Sequence, residues 1–258
     1  ETSSGKRNPV TDFALWKFSP KDQKRQMEWD SPWGKGFPGW HIECSAMAIK
    51  YLGENIDIHC GGVDHIPIHH TNEIAQVEAV TQKTWVNYWM HGEFLVVGKD
   101  IKMSKSKDNF LSLAELKRQG FEPIAYRLFV LGAHYRNPQT FSMEALNCAQ
   151  LSFRRLQNIM RCLKKEMEDA PPVRTEILEQ WKEKFRQTVG NDLNMPQALS
   201  LLWTAFQDNS LECNEKWELA LNFDQVLGLK LEEAAHSCAQ DEVELNEEIE
   251  KMIQTREK

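Results

Sequence analysis

The stretch Ile56-Asp57-Ile58-His59-Cys60-Gly61-Gly62 decides the fold. Its apolar start predicts a short buried strand, and its two glycines predict a turn directly after that strand. Residues 40–52 before it and 70–81 after it have the pattern of helices, and Gly53 is a suitable C-cap for the first. A further strand is predicted at 94–97. Short strands that alternate with helices indicate an α/β layer with a parallel sheet.

The ends of the chain have different patterns. Residues 12–18 predict a strand, and the Gly- and Pro-rich residues 31–39 predict a loop. After residue 145 the sequence predicts helices only, because apolar side chains recur at helical spacing. These stripes are Leu146, Phe153, Leu156, Met160 and Leu163; Ile177, Trp181, Phe185 and Val189; Leu199, Leu202, Trp203 and Phe206; and Trp217, Leu221 and Val226. Pro171-Pro172 separates the first two, and Asn194-Met195-Pro196 predicts the start of the third. The prediction is a helical bundle over residues 145–258.

Composition excludes several classes of protein. With 258 residues, 41% apolar and 27% charged, the chain resembles an ordinary globular protein. It has no run of about 18 apolar residues, so no membrane span is expected. A net charge of −7 argues against a uniformly basic, nucleic-acid-binding surface. The six cysteines are widely scattered and the start lacks a secretory signal, so we expect single thiols in a cytoplasmic protein.

Three sets of residues point to chemistry. The first is the loop Lys102-Met103-Ser104-Lys105-Ser106, whose ammonium groups suit a triphosphate. The second is a candidate metal site: His69 and Glu73 share one face if residues 69–78 are helical, and Cys44 is a possible third ligand. Spacing alone leaves other ligands open, namely His59, Cys60, His65 and His70. The third set is Gly61-Gly62 with Asp64, where a strand end allows a ligand to approach the backbone.

Together these motifs resemble the cysteinyl-tRNA synthetases, a family of class I synthetases. The resemblance lies in residues 12–17, 31–34, 40–47, 57–64, 69–76, 102–106 and 191–194, and it covers essentially the whole chain. The fold that it implies is α/β, with half of a Rossmann-like parallel sheet followed by an all-α helical bundle. The activity that it implies is ATP-dependent activation of L-cysteine to cysteinyl-adenylate, followed by transfer to tRNA(Cys).

The resemblance also implies roles for individual residues. Cys44, His69 and Glu73 would bind one Zn²⁺, which would hold the substrate thiolate, and a fourth protein ligand would lie outside this sequence. Trp40 and His59 would contact the amino acid. Lys102 and Lys105 would be catalytic. The ATP contacts, with Mg²⁺ accompanying the nucleotide, would be Gly61, Gly62, Asp64, Ser104 and Lys105. The oligomeric state does not follow from the sequence.

The motif His-Ile-Gly-His, which the family carries, is absent from these 258 residues. The resemblance therefore implies the second half of the catalytic domain, and we expect the isolated chain to be inactive. The implied segments are the end of an inserted connective segment (1–30), the catalytic half with the zinc site and lysine loop (31–110), a connecting stem-contact region (111–150), and the tRNA-binding bundle (151–258).

Two other functions have similar motifs. One is the ligase of mycothiol synthesis that joins cysteine to a glucosaminyl-inositol sugar. The second is a non-catalytic module that binds zinc or RNA. Residues 57–64 and 191–194 favour the tRNA enzyme over the sugar ligase.

Overall fold

The chain forms two compact units that are interleaved in sequence. A computed structural model describes residues 12–97, 101–102, 112–167 and 170–236, with the backbone alone at 101–102. The first unit contains the described residues up to Phe94 together with Tyr135–Pro138, and the second contains Leu95–His134 and the described residues from Gln139 onward. The α/β layer and the helical bundle that the sequence predicts are both present.

In the part of the first unit that the structure describes, there are two small sheets and two α-helices. Its elements are β1 (Trp16–Phe18), β2 (Gly36–Pro38), α1 (Ile42–Leu52), β3 (Ile56–Gly62), α2 (Thr71–Thr81) and β4 (Val86–Gly92). Strands β3 and β4 are parallel, with Ile56 opposite Val86 and Gly62 opposite Gly92. Helix α2 is the crossover between them, as a parallel pair requires.

Two strands of this unit, β2 and β4, were not predicted from the sequence. The region 31–39 was expected to be a loop, but residues 36–38 form β2, which pairs antiparallel with β1. Its extended backbone is stabilised by this partner, which local Gly and Pro content does not reveal. Strand β4 has no clear alternation of polar and apolar residues, and it was not predicted. The strand expected at 12–18 is shorter and begins at Trp16.

A small apolar core holds β3, β4 and α2 together. Its fully buried members among the described residues are Ile56, Val77, Trp85 and Val86. The helices α1 and α2 are also joined by a polar contact, since the Ser45 hydroxyl donates to Gln76 Oε1 at 2.8 Å. This packing fixes α1 and α2 against the strand pair, and both helices carry candidate site residues.

The second unit contains short strands followed by helices. Its elements are β5 (Leu95–Val97), β6 (Ile101–Lys102), α3 (Leu113–Arg118), α4 (Pro123–Leu131), β7 (Gln139–Phe141), α5 (Met143–Glu166), α6 (Thr175–Gly190), α7 (Met195–Gln207), α8 (Cys213–Leu227) and α9 (Leu231–Ala234). Strand β5 pairs parallel with β7 and antiparallel with β6. None of the helices described has the length and apolar character needed to cross a membrane.

The apolar stripes predicted for the bundle largely form its core. Residues Phe153, Leu156 and Met160 of α5 are buried together with Trp181 and Phe185 of α6. The predicted start of α7 is confirmed, because Asn194 caps it by accepting from Gln197 N at 3.2 Å. The helix predicted from Trp217, Leu221 and Val226 is present as α8, and Trp217 and Leu221 pack against the core, whereas Val226 is 44% exposed. The fully buried residues of α8 include Leu219, Phe223 and Leu227.

A buried carboxylate paired with a half-exposed arginine fixes the start of α8. The side chain of Glu215 is fully buried and accepts from the Arg174 backbone N and Nε at 2.9 and 2.8 Å. It also accepts from Arg174 Nη2 at 2.6 Å and from Glu212 N at 2.9 Å. These donors, above all the Arg174 side chain, lower the pKa of Glu215 to about 2.

We predict that Glu215→Gln lowers the free energy of unfolding at pH 7 by about 1–3 kcal/mol, because a charge-assisted network is broken. Since the folded pKa lies below the ordinary 4.5, this contribution is present above pH 4.5 and is lost as the pH falls towards 2. Urea unfolding followed by helical circular dichroism at several pH values measures both effects. Glu218→Gln, on the same helix but exposed, is the control. Equal losses in the two variants would contradict the prediction.

Candidate metal centre and ligand-binding edge

Three of the predicted ligands meet in the first unit. Possible ligand atoms of Cys44, His69 and Glu73 all lie within 4.8 Å of one another. The Nε2 atom of His69 is 2.8 Å from Glu73 Oε1. A thiol, an imidazole and a carboxylate at this separation are a donor set that zinc accepts.

Local structure explains how this group forms. Cys44 lies in the first turn of α1, and Glu73 lies in the first turn of α2. The prediction of a helix from residue 69 is only partly right, because Ile66–His70 form a π-helical turn before α2 begins at Thr71. The winding is continuous through this turn, so the His69 and Glu73 side chains still meet. π-Helical turns are often found at functional sites.

Glu73 is the most constrained residue of the group. Its side chain has no solvent exposure, and neither carboxylate oxygen has a hydrogen-bond donor in suitable geometry. Burial raises its pKa to about 7. The nearby indole of Trp85 opposes this rise, although its buried N–H also lacks a well-aligned acceptor. An acceptor pair buried in this way is suited to a cation.

Glu73 also belongs to a second possible group. Its Oε2 atom is 3.3 Å from His59 Nε2, and possible ligand atoms of His59, His70 and Glu73 lie within 4.8 Å of one another. Both groups need the same carboxylate. The Cys44 group offers a thiolate, the softest donor of the set, and is therefore the better match for zinc.

Further histidines surround these groups, and the contacts of His41 and His91 were missed at the level of sequence. His41 Nδ1 is 2.8 Å from His69 Nδ1, and His70 Nδ1 is 2.8 Å from His91 Nε2. Such contacts orient an imidazole and set which of its nitrogens carries the proton. His41 has a backbone φ of 78°, which is uncommon for a residue other than glycine. The motif around Trp40 contained His41, but only the folded backbone brings it to His69.

Burial keeps this cluster neutral. It lowers the pKa of His41, His59, His69 and His91, and it lowers that of His70 to about 4, with neighbouring histidines adding to the effect. Burial and the carboxylates of Glu73 and Glu43 raise the pKa of Cys44. Unprotonated imidazole is the form that binds metal, whereas the thiol needs a nearby cation to ionise.

Trp40 borders the candidate metal group. Its ring stacks on His41 at 5.4 Å between centroids and lies 5.8 Å from His69. The Trp40 residue is 71% exposed, so an apolar surface beside the group is open to a ligand. His59 contacts Trp89 and Glu73, and it lies at the edge of the same histidine cluster.

The predicted nucleotide residues lie where β3 ends. Gly61 and Gly62 are its last two residues, and Asp64 follows in a short helical turn. A Cβ at Gly61 would lie 2.4 Å from His70 Cε1 and 2.7 Å from His65 Nδ1. Packing of the histidines thus requires glycine there, whether or not a ligand also contacts the backbone.

The lysine loop is described only in part. Lys102 lies in β6, and its backbone is opposite Val96 of β5. Ser104 and Lys105 lie outside the described residues. Their predicted contacts with ATP stay predictions.

Comparison with known proteins identifies the relatives of this chain. Residues 1–151 match the family described as tRNA synthetases class I (C) catalytic domain. Cysteine–tRNA ligase 1 of Burkholderia lata is 49% identical over 89% of this chain and 47% of its own length. The cysteine–tRNA ligase of Treponema denticola is 40% identical over 99% of this chain and 56% of its own length. The chain therefore spans about half the length of these relatives.

A solved structure supports the same fold. The leucyl-tRNA synthetase of Agrobacterium radiobacter K84, solved in a ternary complex with tRNA and LeuAMS, has a TM-score of 0.60 with 12% identity. The match covers 81% of this chain and 33% of that protein. The likeness is to a class I synthetase, which confirms the predicted fold class.

We predict that Gly61→Ala destabilises the first unit by about 1–3 kcal/mol, because the new methyl group would overlap His70 and His65. The His70 ring is held by His91 and cannot simply turn away. Gly62→Ala is the matched control, since its Cβ would meet only the Asp64 side-chain tip within 3 Å. Thermal unfolding followed by tryptophan fluorescence, without nucleotide, compares the two. A Gly62 variant as unstable as the Gly61 variant would contradict this account.

Proposed function

Because this chain belongs to the cysteinyl-tRNA synthetase family, we propose that it supplies the cysteine-recognising half of an enzyme that charges tRNA with cysteine. The observation that carries the proposal is the convergence of Cys44, His69 and Glu73 within 4.8 Å. A metal site of this composition suits cysteine as the substrate, because a metal–sulfur bond selects a thiol.

The group of Cys44, His69 and Glu73 fits a zinc ion. Its ligand atoms are sulfur, nitrogen and oxygen, which zinc accepts. The buried Glu73 oxygens accept no hydrogen bond that a cation would have to break. Zinc held there would bind the thiolate of L-cysteine, which serine and alanine lack. His41 would orient His69 through the contact between their Nδ1 atoms. The exposed face of Trp40 would cover the apolar side of the amino acid.

The remaining residues are assigned to the nucleotide. The backbone of Gly61 and Gly62 would contact adenosine at the end of β3, and Asp64 would accept hydrogen bonds from its ribose hydroxyls. In the first step the cysteine carboxylate attacks the α-phosphate of ATP, which gives cysteinyl-adenylate and pyrophosphate. Lys102 and Lys105, with Ser104, would stabilise the charge that moves onto the leaving pyrophosphate. The cysteinyl group then passes to the terminal adenosine of tRNA(Cys).

The relatives support tRNA as the acceptor rather than a sugar amine, since those aligned above are named cysteine–tRNA ligases. Charging assays with ATP and L-cysteine, on the enzyme of which this chain is one half, offer tRNA or glucosaminyl-inositol and separate the two acceptors. Transfer to the sugar alone would overturn the tRNA assignment. The free cysteines among the described residues support a reducing, cytoplasmic setting.

We predict that loss of a proposed ligand lowers zinc affinity by at least about 10–100-fold. Cys44→Ser, His69→Gln and Glu73→Gln are compared with His59→Gln, which removes a member of the second group only. Competition with a chromogenic chelator measures the affinity. Cys148→Ser, an exposed thiol in the bundle, is the control for Cys44. If His59→Gln weakened binding as much as His69→Gln while Cys44→Ser did not, the ligand set would be wrong.

Cobalt substitution tests cysteine recognition directly. We predict that Co²⁺ bound to the chain has a thiolate-to-metal charge-transfer band that Cys44→Ser removes. Addition of L-cysteine should increase the band, because a second thiolate joins the metal, and L-serine should leave it unchanged. A spectrum that responds to neither amino acid would contradict cysteine selection by the metal.

A further inference from the structure

A short segment returns to the first unit from the chain that forms the second. Residues Tyr135–Pro138 pack with the first unit, although the residues on either side of them belong to the other. The backbone of Glu93 donates to Tyr135 O at 2.8 Å. This hydrogen bond anchors the returning segment directly beyond the last residue of β4.

The anchor lies at the edge where ligands are expected. Strands β3 and β4 are parallel and end in register, with Gly61 opposite His91 and Gly62 opposite Gly92. Their carboxyl ends therefore form one edge, and Tyr135 lies at the β4 side of that edge. In open α/β sheets the carboxyl ends of strands are the usual position of bound nucleotides.

Arg136 brings a permanent positive charge to this edge. Its guanidinium group lies 5.1 Å from the centroid of the Tyr135 ring, and the residue is exposed. Arg136 directly follows Tyr135, whose carbonyl is held by the Glu93 backbone, so the residue lies near the end of β4.

The residues around Arg136 show why a positive charge is needed to bind a triphosphate at this edge. Asp64 and Glu93, which lie just beyond the ends of β3 and β4, are acidic. A triphosphate at this edge needs a cation to offset that charge, and guanidinium presents paired N–H groups that match phosphate oxygens.

We propose that Arg136 binds phosphate oxygens of the nucleotide, in addition to the lysines of the 102–106 loop. This inference rests on the proposed function, in which ATP is the substrate. Arg136 is then a residue that contacts substrate phosphate, and the hydrogen bond from Glu93 to Tyr135 positions it. The guanidinium recognises the charge and the shape of the phosphate group, and it does not contact the adenine base.

The test compares Arg136→Gln and Arg136→Lys with the unsubstituted chain. We expect Arg136→Gln to weaken ATP binding by about 10–100-fold, the loss of a charge-assisted contact of about 1.5–3 kcal/mol. Arg136→Lys keeps the charge but loses the paired geometry, so its effect should be intermediate. Tripolyphosphate binding should fall in parallel, and adenosine binding should be unchanged. Isothermal titration calorimetry measures all three ligands.

The controls separate this inference from the proposed function. Lys83→Gln removes a surface cation at the opposite end of β4, where it pairs with Glu54, and should leave ATP binding unchanged. If the unsubstituted chain binds ATP and Arg136→Gln binds it equally well, this inference fails and the proposed function stands. If the unsubstituted chain binds neither ATP nor tripolyphosphate, this inference fails, whereas the cobalt spectra with L-cysteine test the proposed function independently. If ATP binding persists in the variant while tRNA binding is lost, Arg136 contacts RNA and the nucleotide assignment is overturned.

Discussion

The first unit is organised around one buried carboxylate. Glu73 has no exposed surface and no hydrogen-bond donor in suitable geometry at either oxygen, a combination that is costly in a folded protein. Protonation removes the buried negative charge and so lowers this cost, which is why burial raises the pKa of Glu73 to about 7. A divalent cation lowers this cost further, because it supplies the positive charge that the neutral side chains around Glu73 do not. The proposed zinc site therefore accounts for a feature that packing alone would disfavour.

The histidines nearby follow from the same constraint. If they were protonated, they could pair with Glu73, but burial and their mutual proximity lower their pKa values. They are consequently ligands and hydrogen-bond partners rather than counter-ions. The contacts of His41 with His69, and of His70 with His91, fix ring orientation at two positions. A preorganised imidazole loses less entropy when it binds a metal than a freely rotating one.

Sequence alone predicted the parts of this arrangement that depend on local spacing. The pair His69 and Glu73, the helices α1 and α2, and the stripes of α5 and α6 all follow from helical periodicity. What it missed depends on partners distant in the chain. Strand β2 is extended because β1 lies beside it, and His41 enters the cluster only through a backbone with positive φ. For α8 only the edge of the buried face was predicted, because three apolar positions cannot fix the orientation of a helix among several others.

Stability and chemistry have different locations in this chain. The second unit has an extensive apolar core that includes Phe185 and Phe223, whose rings stack at 4.1 Å. The core of the first unit is far smaller, and beside it lie buried polar groups that oppose folding unless they are satisfied. Metal binding should increase the free energy of unfolding of such a unit, since the ligand atoms come together only in the folded state. Zinc in the proposed site would therefore contribute to the fold of the first unit as well as to recognition of cysteine.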